Sequence, residues 1–395
     1  MFGTYRMILA AFVALSHFGL VPHGFNPGQW SVLSFYVVSG FLMEHLFKKL
    51  SVGGQRRWFY LDRVMRIFPL FLFLLLVFGI ALHHSWRQIG INALLFPLNY
   101  TSFTGTALII SPTWSLACEA QFYLLVPFLA VCSTRVIRMM MAASVALFAM
   151  SPFLPYSTFW AYQGLPGVLF SFLSGILIRR KDASSLHVAW VVFAGLMAFF
   201  VYSKIAHLGL PTGIHINVCA GYLIALPVVS RLALLSPNHK WDQRLGLLSY
   251  PLFLVHAPLR DLGCLYHLTQ LHMLGWLIVS IAAAVLLVVA LERPLDRVRY
   301  KLRGTAWRTT FRSLPHSPMP PQMAAATVGH QPRLPSREKC RTRYLGPYLP
   351  SSLCLVEEEP IRCEHSLRLG DAILCLHPDR RSFEKPDPLD LSSSR

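Results

Sequence analysis

His17 is the residue of this chain whose type and position most clearly indicate chemistry. It lies in the first of about ten apolar stretches that could each cross a membrane. An ionisable group inside a bilayer is costly, so it usually marks a site that handles protons, ions or substrates. A neutral imidazole could act there as a general base. The alternative is a structural histidine that bonds to a neighbouring helix.

Two arginines near the start of the third apolar stretch could bind an anion. Arg63 and Arg66 are three positions apart, which places both guanidinium groups on one face of a helix. Such forked donors suit a phosphate or diphosphate. Cations that merely flank a membrane helix are common, and spacing alone favours that simpler interpretation. Arg6 precedes His17 by about 16 Å of helix, on a similar side, and could support the anion site.

Glu119 is the acid that could complete such a site. It lies five residues after Trp114, near the start of a later apolar stretch. Its carboxylate could orient His17, accept a hydrogen bond from a substrate hydroxyl, or stay protonated. A surface carboxylate between the belt aromatics Trp114 and Tyr123 is the plain alternative.

Three further stretches carry polar groups among apolar residues. The second holds Ser39 beside a glycine, where small residues allow helices to approach closely. The ninth contains Tyr250 and a second histidine, His256. Glu292 ends the tenth, where the acid could simply pair with a neighbouring arginine.

The composition identifies an integral membrane protein. Of 395 residues, 54% are hydrophobic and 14% are charged, whereas soluble domains carry about 25% charge. Apolar runs of roughly 17–22 residues indicate membrane-crossing helices, so the predicted fold is all-α and polytopic. The ten expected spans are approximately 7–21, 30–47, 67–83, 115–132, 139–154, 162–178, 188–205, 214–235, 246–262 and 271–291. The shorter run 89–100 is expected to be interfacial or re-entrant.

The loop charges predict the orientation. Every second loop is rich in lysine and arginine, from Lys48–Arg66 to Arg293–Lys301. Cytoplasmic loops carry this excess, so both termini are expected in the cytoplasm. The net charge of +18 comes from these loops and the tail, and it favours contact with anionic membrane lipids. Nucleic acid is not an expected partner, because no basic patch lies on a soluble fold.

The chain is expected to divide near residue 303. Residues 1–303 would form the membrane domain and residues 304–395 a low-complexity cytoplasmic tail. From Gly304 onward, Pro, Ser, Arg and His predominate without apolar periodicity, which is typical of disorder. In the tail, Cys363 stands two positions before His365, and Cys375 stands two positions before His377. These spacings match no familiar zinc pattern, so no metal site is predicted.

Taken in order, these segments resemble the acyltransferase family 3, membrane proteins that O-acylate carbohydrates and related molecules. The family pattern has an arginine and a histidine in helix one, a Ser-Gly-Phe element in helix two and Arg-x-x-Arg at helix three. Trp-Ser-Leu-x-x-Glu-x-x-Phe-Tyr follows, then Ser-Tyr-Pro-x-Tyr-x-x-His and Glu-x-Pro. The matching residues here are Arg6, His17, Val38 to Phe41, Arg63, Arg66, Trp114 to Tyr123, Ser249 to His256 and Glu292 to Pro294.

The resemblance implies an O-acyltransferase that moves an acyl group, most commonly acetyl, from acyl-CoA to a carbohydrate or glycolipid hydroxyl. It implies a bacterial cytoplasmic (inner) membrane protein with no tightly bound cofactor. Arg6, Arg63 and Arg66 would bind the CoA phosphates on the cytoplasmic side, and His17, helped by Glu119, would be catalytic. The implied supporting residues are Ser39, Trp114, Ser115, Tyr123, Tyr250, His256 and Glu292. Direct attack on the thioester and an acyl-histidine intermediate both fit this pattern.

The chain departs from the family pattern in helix two, which lacks consecutive phenylalanines, and at Phe253, where tyrosine is usual. No esterase-like domain is evident, because Gly370-Asp371-Ala372 stands where a Gly-Asp-Ser motif would be needed. A partner protein would then supply transfer outside the membrane. The alternative function is a proton-coupled transporter or flippase of an anionic or lipid-linked substrate, although the sequence shows no inverted repeat.

Overall fold

The computed structural model describes residues 1–50, 57–235, 239–267, 271–299, 301, 366–369 and 372–375. These residues fall in two units, one within Met1–His316 and one within Ser317–Arg395. Twelve α-helices lie in the described part of the first unit. They are α1 Phe2–His17, α2 Pro27–Leu50, α3 Arg57–Ala81, α4 Trp86–Ala93, α5 Thr101–Thr104, α6 Thr113–Val131, α7 Thr134–Met150, α8 Leu165–Arg179, α9 Ala183–Ile205, α10 Gly213–Leu234, α11 Lys240–Leu265 and α12 Met273–Leu287.

The described helices confirm an all-α polytopic membrane protein. Eight of them are long and apolar enough to cross a membrane: α2, α3, α6, α7, α8, α9, α10 and α12. Helix α12 continues through a π-turn, Val288–Glu292, to Arg299. The other two expected spans correspond to α1 and α11. Helix α1 has 16 residues, and α11 begins with several charged residues, so neither meets the same standard.

The region 86–104 contains short helices. Helix α4 has 8 residues, a 3-10 turn spans Phe96–Tyr100, and α5 has 4 residues. A crossing helix needs about 20 residues, so none of these elements can cross the membrane alone. This agrees with the predicted interfacial or re-entrant segment.

Helix α2 is at the centre of the bundle and packs against α1, α8 and α10. Its crossing with α8 depends on Gly40 and Gly175. A Cβ atom at Gly40 would collide with the backbone of Phe172, and one at Gly175 would collide with the backbone of α2. Small residues at such crossings let helix backbones approach closely. The glycine next to Ser39 therefore has a packing role, which leaves Ser39 to point elsewhere.

A buried ion pair ties α2 to the end of α8. Glu44 is fully buried, and Arg180 Nε donates to its carboxylate at 2.8 Å. The same guanidinium donates to the backbone oxygens of Leu129 and Cys132, at 2.9 and 2.8 Å. Arg180 thus donates to carbonyl groups in the last turn of α6, where fewer partners are available within the helix. One side chain holds three helices together.

Asp242 of α11 caps the N-terminus of α1. Its carboxylate accepts hydrogen bonds from the amides of Gly3 and Thr4, at 3.1 and 2.8 Å, and from the Thr4 hydroxyl at 2.8 Å. Partial burial alone would raise the pKa of Asp242, but these hydrogen bonds lower it to about 2. The first residues of α1, including Arg6, are thereby anchored to α11.

Replacing Asp242 with asparagine is expected to lower the stability of the bundle by about 1 kcal/mol at pH 6, roughly the difference between hydrogen bonds to a charged and to a neutral acceptor. The native pKa lies below the unfolded value of about 3.9. The carboxylate therefore stabilises the fold above that value, and its contribution is lost as the pH falls towards 2. Thermal unfolding of purified protein in detergent, at pH 6 and pH 3, measures this difference.

The matched control is Asp261→Asn, at an exposed carboxylate near the other end of α11. The Asp242→Asn protein should melt below wild type at pH 6, and the gap should narrow at pH 3. Equal melting temperatures of wild type and Asp242→Asn at pH 6 would contradict the capping role.

In the second unit, the structure describes two antiparallel strands, β1 Ser366–Leu369 and β2 Ala372–Cys375. Ser366 pairs with Cys375 and Leu369 with Ala372. The sequence analysis did not predict these strands. The rest of the predicted tail, including His365 and His377, lies outside the described residues.

Candidate functional site

A cavity opens within the bundle, between α1, α2, α3, α6 and α11. Its empty volume is about 830 Å³, including space that is open to solvent. Eight residues selected from the sequence lie in its wall: Arg6, Ser39, Arg63, Arg66, Ser115, Glu119, Tyr123 and Tyr250. The described lining residues thus carry three guanidinium groups and one carboxylate. The wall itself is therefore cationic, and acids outside it, Asp62 and Glu292, balance two of the three arginines.

Two of these arginines are held from behind by acids. Arg63 Nε donates to Asp62 at 3.1 Å, and Arg66 Nη1 contacts Glu292 Oε2 at 2.5 Å. The arginine side chains are only 13% and 14% exposed. They are therefore not simple surface charges, since their guanidinium groups lie inside the protein against a cavity. Glu292 forms an ion pair with Arg66, which agrees with the interpretation that this acid pairs with an arginine.

The ion pairs of these acids and arginines share members and form one network, called here the charge ladder. Its residues are Arg66, Glu292, Asp296, Arg299, Asp62 and Arg63. Arg299 Nη2 lies 2.8 Å from Asp296 Oδ1, and Arg299 Nε lies 3.6 Å from Asp62 Oδ1. Sequence reasoning missed Asp62, Asp296 and Arg299. Their signal was available in part, because positions 292, 296 and 299 follow helical spacing and so share one face.

Glu119 lies with the arginines and belongs to a hydroxyl cluster. Its Oε1 atom accepts hydrogen bonds from Ser39 and, at 2.5 Å, from Tyr123. The guanidinium of Arg63 lies 5.8 Å from the centre of the Tyr123 ring. The structure therefore brings Glu119 together with the arginines through Tyr123. It does not bring Glu119 to His17, which is not among the residues that line the cavity.

Among the remaining supporting residues, Tyr250 and Ser115 line the cavity and Trp114 does not. The Tyr250 hydroxyl donates to the backbone oxygen of Ile67 at 2.7 Å, and its ring lies 5.4 Å below the Arg66 guanidinium. Ser115 donates to Pro112 within the first turn of its helix. Trp114 packs on Tyr162, with 4.7 Å between ring centres, and does not line the cavity.

His17 is the last residue of α1 and is half-buried. It lies eleven positions after Arg6, so the two residues are about 16 Å apart along the helix axis. Arg260 donates a hydrogen bond to the His17 backbone oxygen. The His17 ring lies edge-on to His256, with 5.1 Å between ring centres, and His256 is fully buried. Two histidines from α1 and α11 therefore meet near one end of the bundle.

Aromatic rings lie between the cavity and this histidine pair. Phe253 lines the cavity and also lies 6.3 Å from His256, measured between ring centres. Phe35, a second lining residue, packs edge-on against Phe253 at 6.0 Å. Phe253 therefore lines the arginine cavity and also contacts the histidine pair.

Within the described ranges, no group of three or more His, Cys, Asp or Glu side chains is arranged to hold a metal ion. The cavity wall offers guanidinium, carboxylate and hydroxyl groups. Those groups bind anions and polarise hydroxyls.

Comparisons with known proteins support an enzymatic interpretation. A family model described as an acyltransferase domain, of the acyltransferase family 3, matches residues 4–293. A curated protein of Aquifex aeolicus (strain VF5), described only as an uncharacterized protein, is 25% identical over 214 residues. That alignment covers 51% of this chain and 95% of the Aquifex protein. No solved structure gives a significant match.

Proposed function

The chain belongs to the acyltransferase family 3 and is a membrane acyltransferase, and from this premise we propose that it moves an acyl group, typically acetyl, from acyl-CoA to a carbohydrate hydroxyl. The acceptor class in this proposal is a surface or exported polysaccharide or a glycolipid. The observation that carries the proposal is the cluster of three guanidinium groups inside the bundle. Placing cations there is costly unless they serve a ligand or a fixed partner.

The arginine cavity supports an acyl-CoA site. Arg63 and Arg66 both line the cavity, and a planar guanidinium group matches phosphate oxygens better than a lysine ammonium does. Asp62 and Glu292 restrain the two side chains from behind, so less rotamer entropy is lost when an anion binds. In this proposal the phosphates contact Arg6, Arg63 and Arg66, and the thioester arm extends towards the histidine pair.

His17 is the catalytic base of the proposed reaction. Its imidazole takes the proton of the acceptor hydroxyl while that oxygen attacks the thioester carbonyl carbon. The carbon–sulfur bond then breaks, and the CoA thiolate leaves and recovers the proton from the imidazolium. Every atom is accounted for without an additional reactant. An acyl-histidine route uses the same residues, and rapid quenching would reveal it as label on His17.

The proposal places the arginine cavity on the cytoplasmic side, where acyl-CoA is made, and the histidine pair towards the other face. The basic loops support this orientation, with both termini in the cytoplasm of a bacterial cell and the chain in its inner membrane. A partner protein would complete transfer to acceptors outside that membrane.

The test uses purified protein reconstituted in lipid vesicles, with acetyl-CoA labelled in the acetyl group and membrane glycolipids from the same cells as acceptor. We expect label on the glycolipid and one free CoA thiol for each acetyl group transferred. If purified protein neither binds acetyl-CoA nor releases thiol, the proposal fails. Uptake of an anionic solute without any need for CoA would instead support the transporter alternative.

A further inference from the structure

Two buried histidines of the bundle share the same backbone bond. The Nδ1 atom of His256 lies 3.0 Å from the backbone oxygen of Leu252, and Nδ1 of His215 lies 2.9 Å from that of Pro211. Both partners are four residues earlier in the chain. A carbonyl oxygen can only accept, so Nδ1 carries the proton in both rings. In the neutral ring, Nε2 is then left with a lone pair that needs a donor.

The two rings differ at Nε2. In His215, Nε2 lies 2.7 Å from the Ser151 hydroxyl, whose single proton is shared between this nitrogen and the Phe148 backbone oxygen at 2.6 Å. In His256, Nε2 is buried and has no hydrogen-bond partner among the described residues. Buried polar atoms are nearly always paired, and an exception calls for an explanation. His256 Nε2 is thus a buried acceptor with no donor in the part of the chain that the structure describes.

The surroundings of His256 contain one ring that can donate. Of the three described rings in contact with it, Phe18 and Phe253 present only carbon, at 6.1 and 6.3 Å between centres. The third is His17, at 5.1 Å. At that separation, ring nitrogens that face each other come within hydrogen-bonding distance. The two rings cross at 61° and are not hydrogen-bonded in the structure, so the His17 ring has to rotate to present a nitrogen to His256.

We propose that His256 is the positioning residue for His17: its Nε2 accepts a hydrogen bond from the His17 imidazole and so fixes which His17 nitrogen faces the substrate. This inference rests on the proposed function. It defines a directed relay in which the Leu252 oxygen orients His256 and His256 orients His17. The free His17 nitrogen keeps its lone pair for the acceptor hydroxyl.

The relay also stabilises the charge that forms on His17. When His17 takes the hydroxyl proton, its other N–H becomes a stronger donor, and His256 Nε2 accepts it. Serine hydrolases use a carboxylate in this role. A neutral imidazole supplies the same geometry without placing a further charge inside the membrane. No proton leaves the pair, since His17 returns its proton to the CoA thiolate.

The test compares His256→Leu, which removes the acceptor, with His256→Gln, whose amide oxygen can replace it. The His256→Leu protein is expected to lose kcat by about 10²-fold, the usual effect of misplacing a reacting group. KM for acetyl-CoA should stay near wild type, because His256 does not line the arginine cavity. The kcat of the glutamine variant should be at least tenfold higher than that of the leucine variant. Thiol release by reconstituted protein measures both constants.

His215→Leu is the matched control for removing a buried histidine with the same backbone bond. It should retain kcat in whatever fraction of the protein folds, determined from the monodisperse fraction by size exclusion. The inference is overturned if His256→Leu keeps wild-type kcat, or if the leucine and glutamine variants lose kcat equally. It is also overturned if folded His215→Leu protein loses as much. If wild type shows no thiol release or His17→Ala stays active, the proposed function itself fails, which is a separate result.

Discussion

Replacing His17 with alanine is expected to lower kcat for acetyl transfer by about 10²–10⁴-fold, the range that a general base contributes. The affinity for acetyl-CoA should change little. Arg6, one of the arginines that would bind the phosphates, lies about 16 Å away along α1, and His17 does not line the arginine cavity. Thiol release gives kcat, and equilibrium binding of labelled acetyl-CoA to the inactive protein gives Kd.

His23→Asn is a suitable control for this experiment. His23 is exposed and lies in the 3-10 turn that follows α1, with φ at 51°. Asparagine tolerates that backbone conformation, so the variant should fold and retain wild-type kcat. A His17→Ala protein that keeps its kcat, or that loses acetyl-CoA binding and kcat to the same extent, would remove His17 from the catalytic step.

Removing the Arg66 fork is expected to raise KM for acetyl-CoA by about 10–100-fold. A hydrogen bond to a charged group contributes about 1.5–3 kcal/mol, and each 1.4 kcal/mol corresponds to about tenfold in affinity. A single Arg66→Gln change would also leave Glu292 buried without its partner, which costs about 3–5 kcal/mol in stability. The informative variant is therefore the neutral pair, Arg66→Gln with Glu292→Gln, which removes both charges together.

The control is the same double change at an ion pair outside the cavity, Arg138→Gln with Asp182→Asn. Arg138 Nε lies 2.7 Å from Asp182 Oδ2, and the arginine side chain is 51% exposed. The hydrogen bond that Arg138 donates lowers the pKa of Asp182 to about 2, so this pair is charged at neutral pH. The control double variant should leave KM for acetyl-CoA unchanged. If the neutral pair at positions 66 and 292 melts normally and keeps KM within twofold of wild type, Arg66 does not bind the donor.

Local patterns in the sequence predicted the helices because each helix depends mainly on its own apolar run. The chief differences lie at the ends. Helix α1 ends at His17 rather than near residue 21, and this places the imidazole at a helix terminus. Helix ends depend on caps and neighbouring chains, such as the Asp242 carboxylate at α1, which no local window of the sequence contains.

Eight residues chosen from the sequence line one cavity, but the sequence did not predict how they are arranged. Arg63 and Arg66 share a helical face, so their common location followed from spacing. The grouping of Glu119 with those arginines depends on how α3 and α6 pack, and the meeting of His17 with His256 depends on the contact of α1 with α11. Such contacts join residues far apart in the chain, and a single sequence carries no direct signal for them.

The charge ladder sets a lower limit on how short a working version of this protein can be. The family match stops at residue 293, yet Asp296 and Arg299 lie beyond it and form ion pairs with Arg66 and with Asp62, the partner of Arg63. A polypeptide cut at residue 293 would keep its imidazole and its guanidinium groups while losing part of the scaffold that aims them. The minimal enzyme therefore extends at least to Arg299.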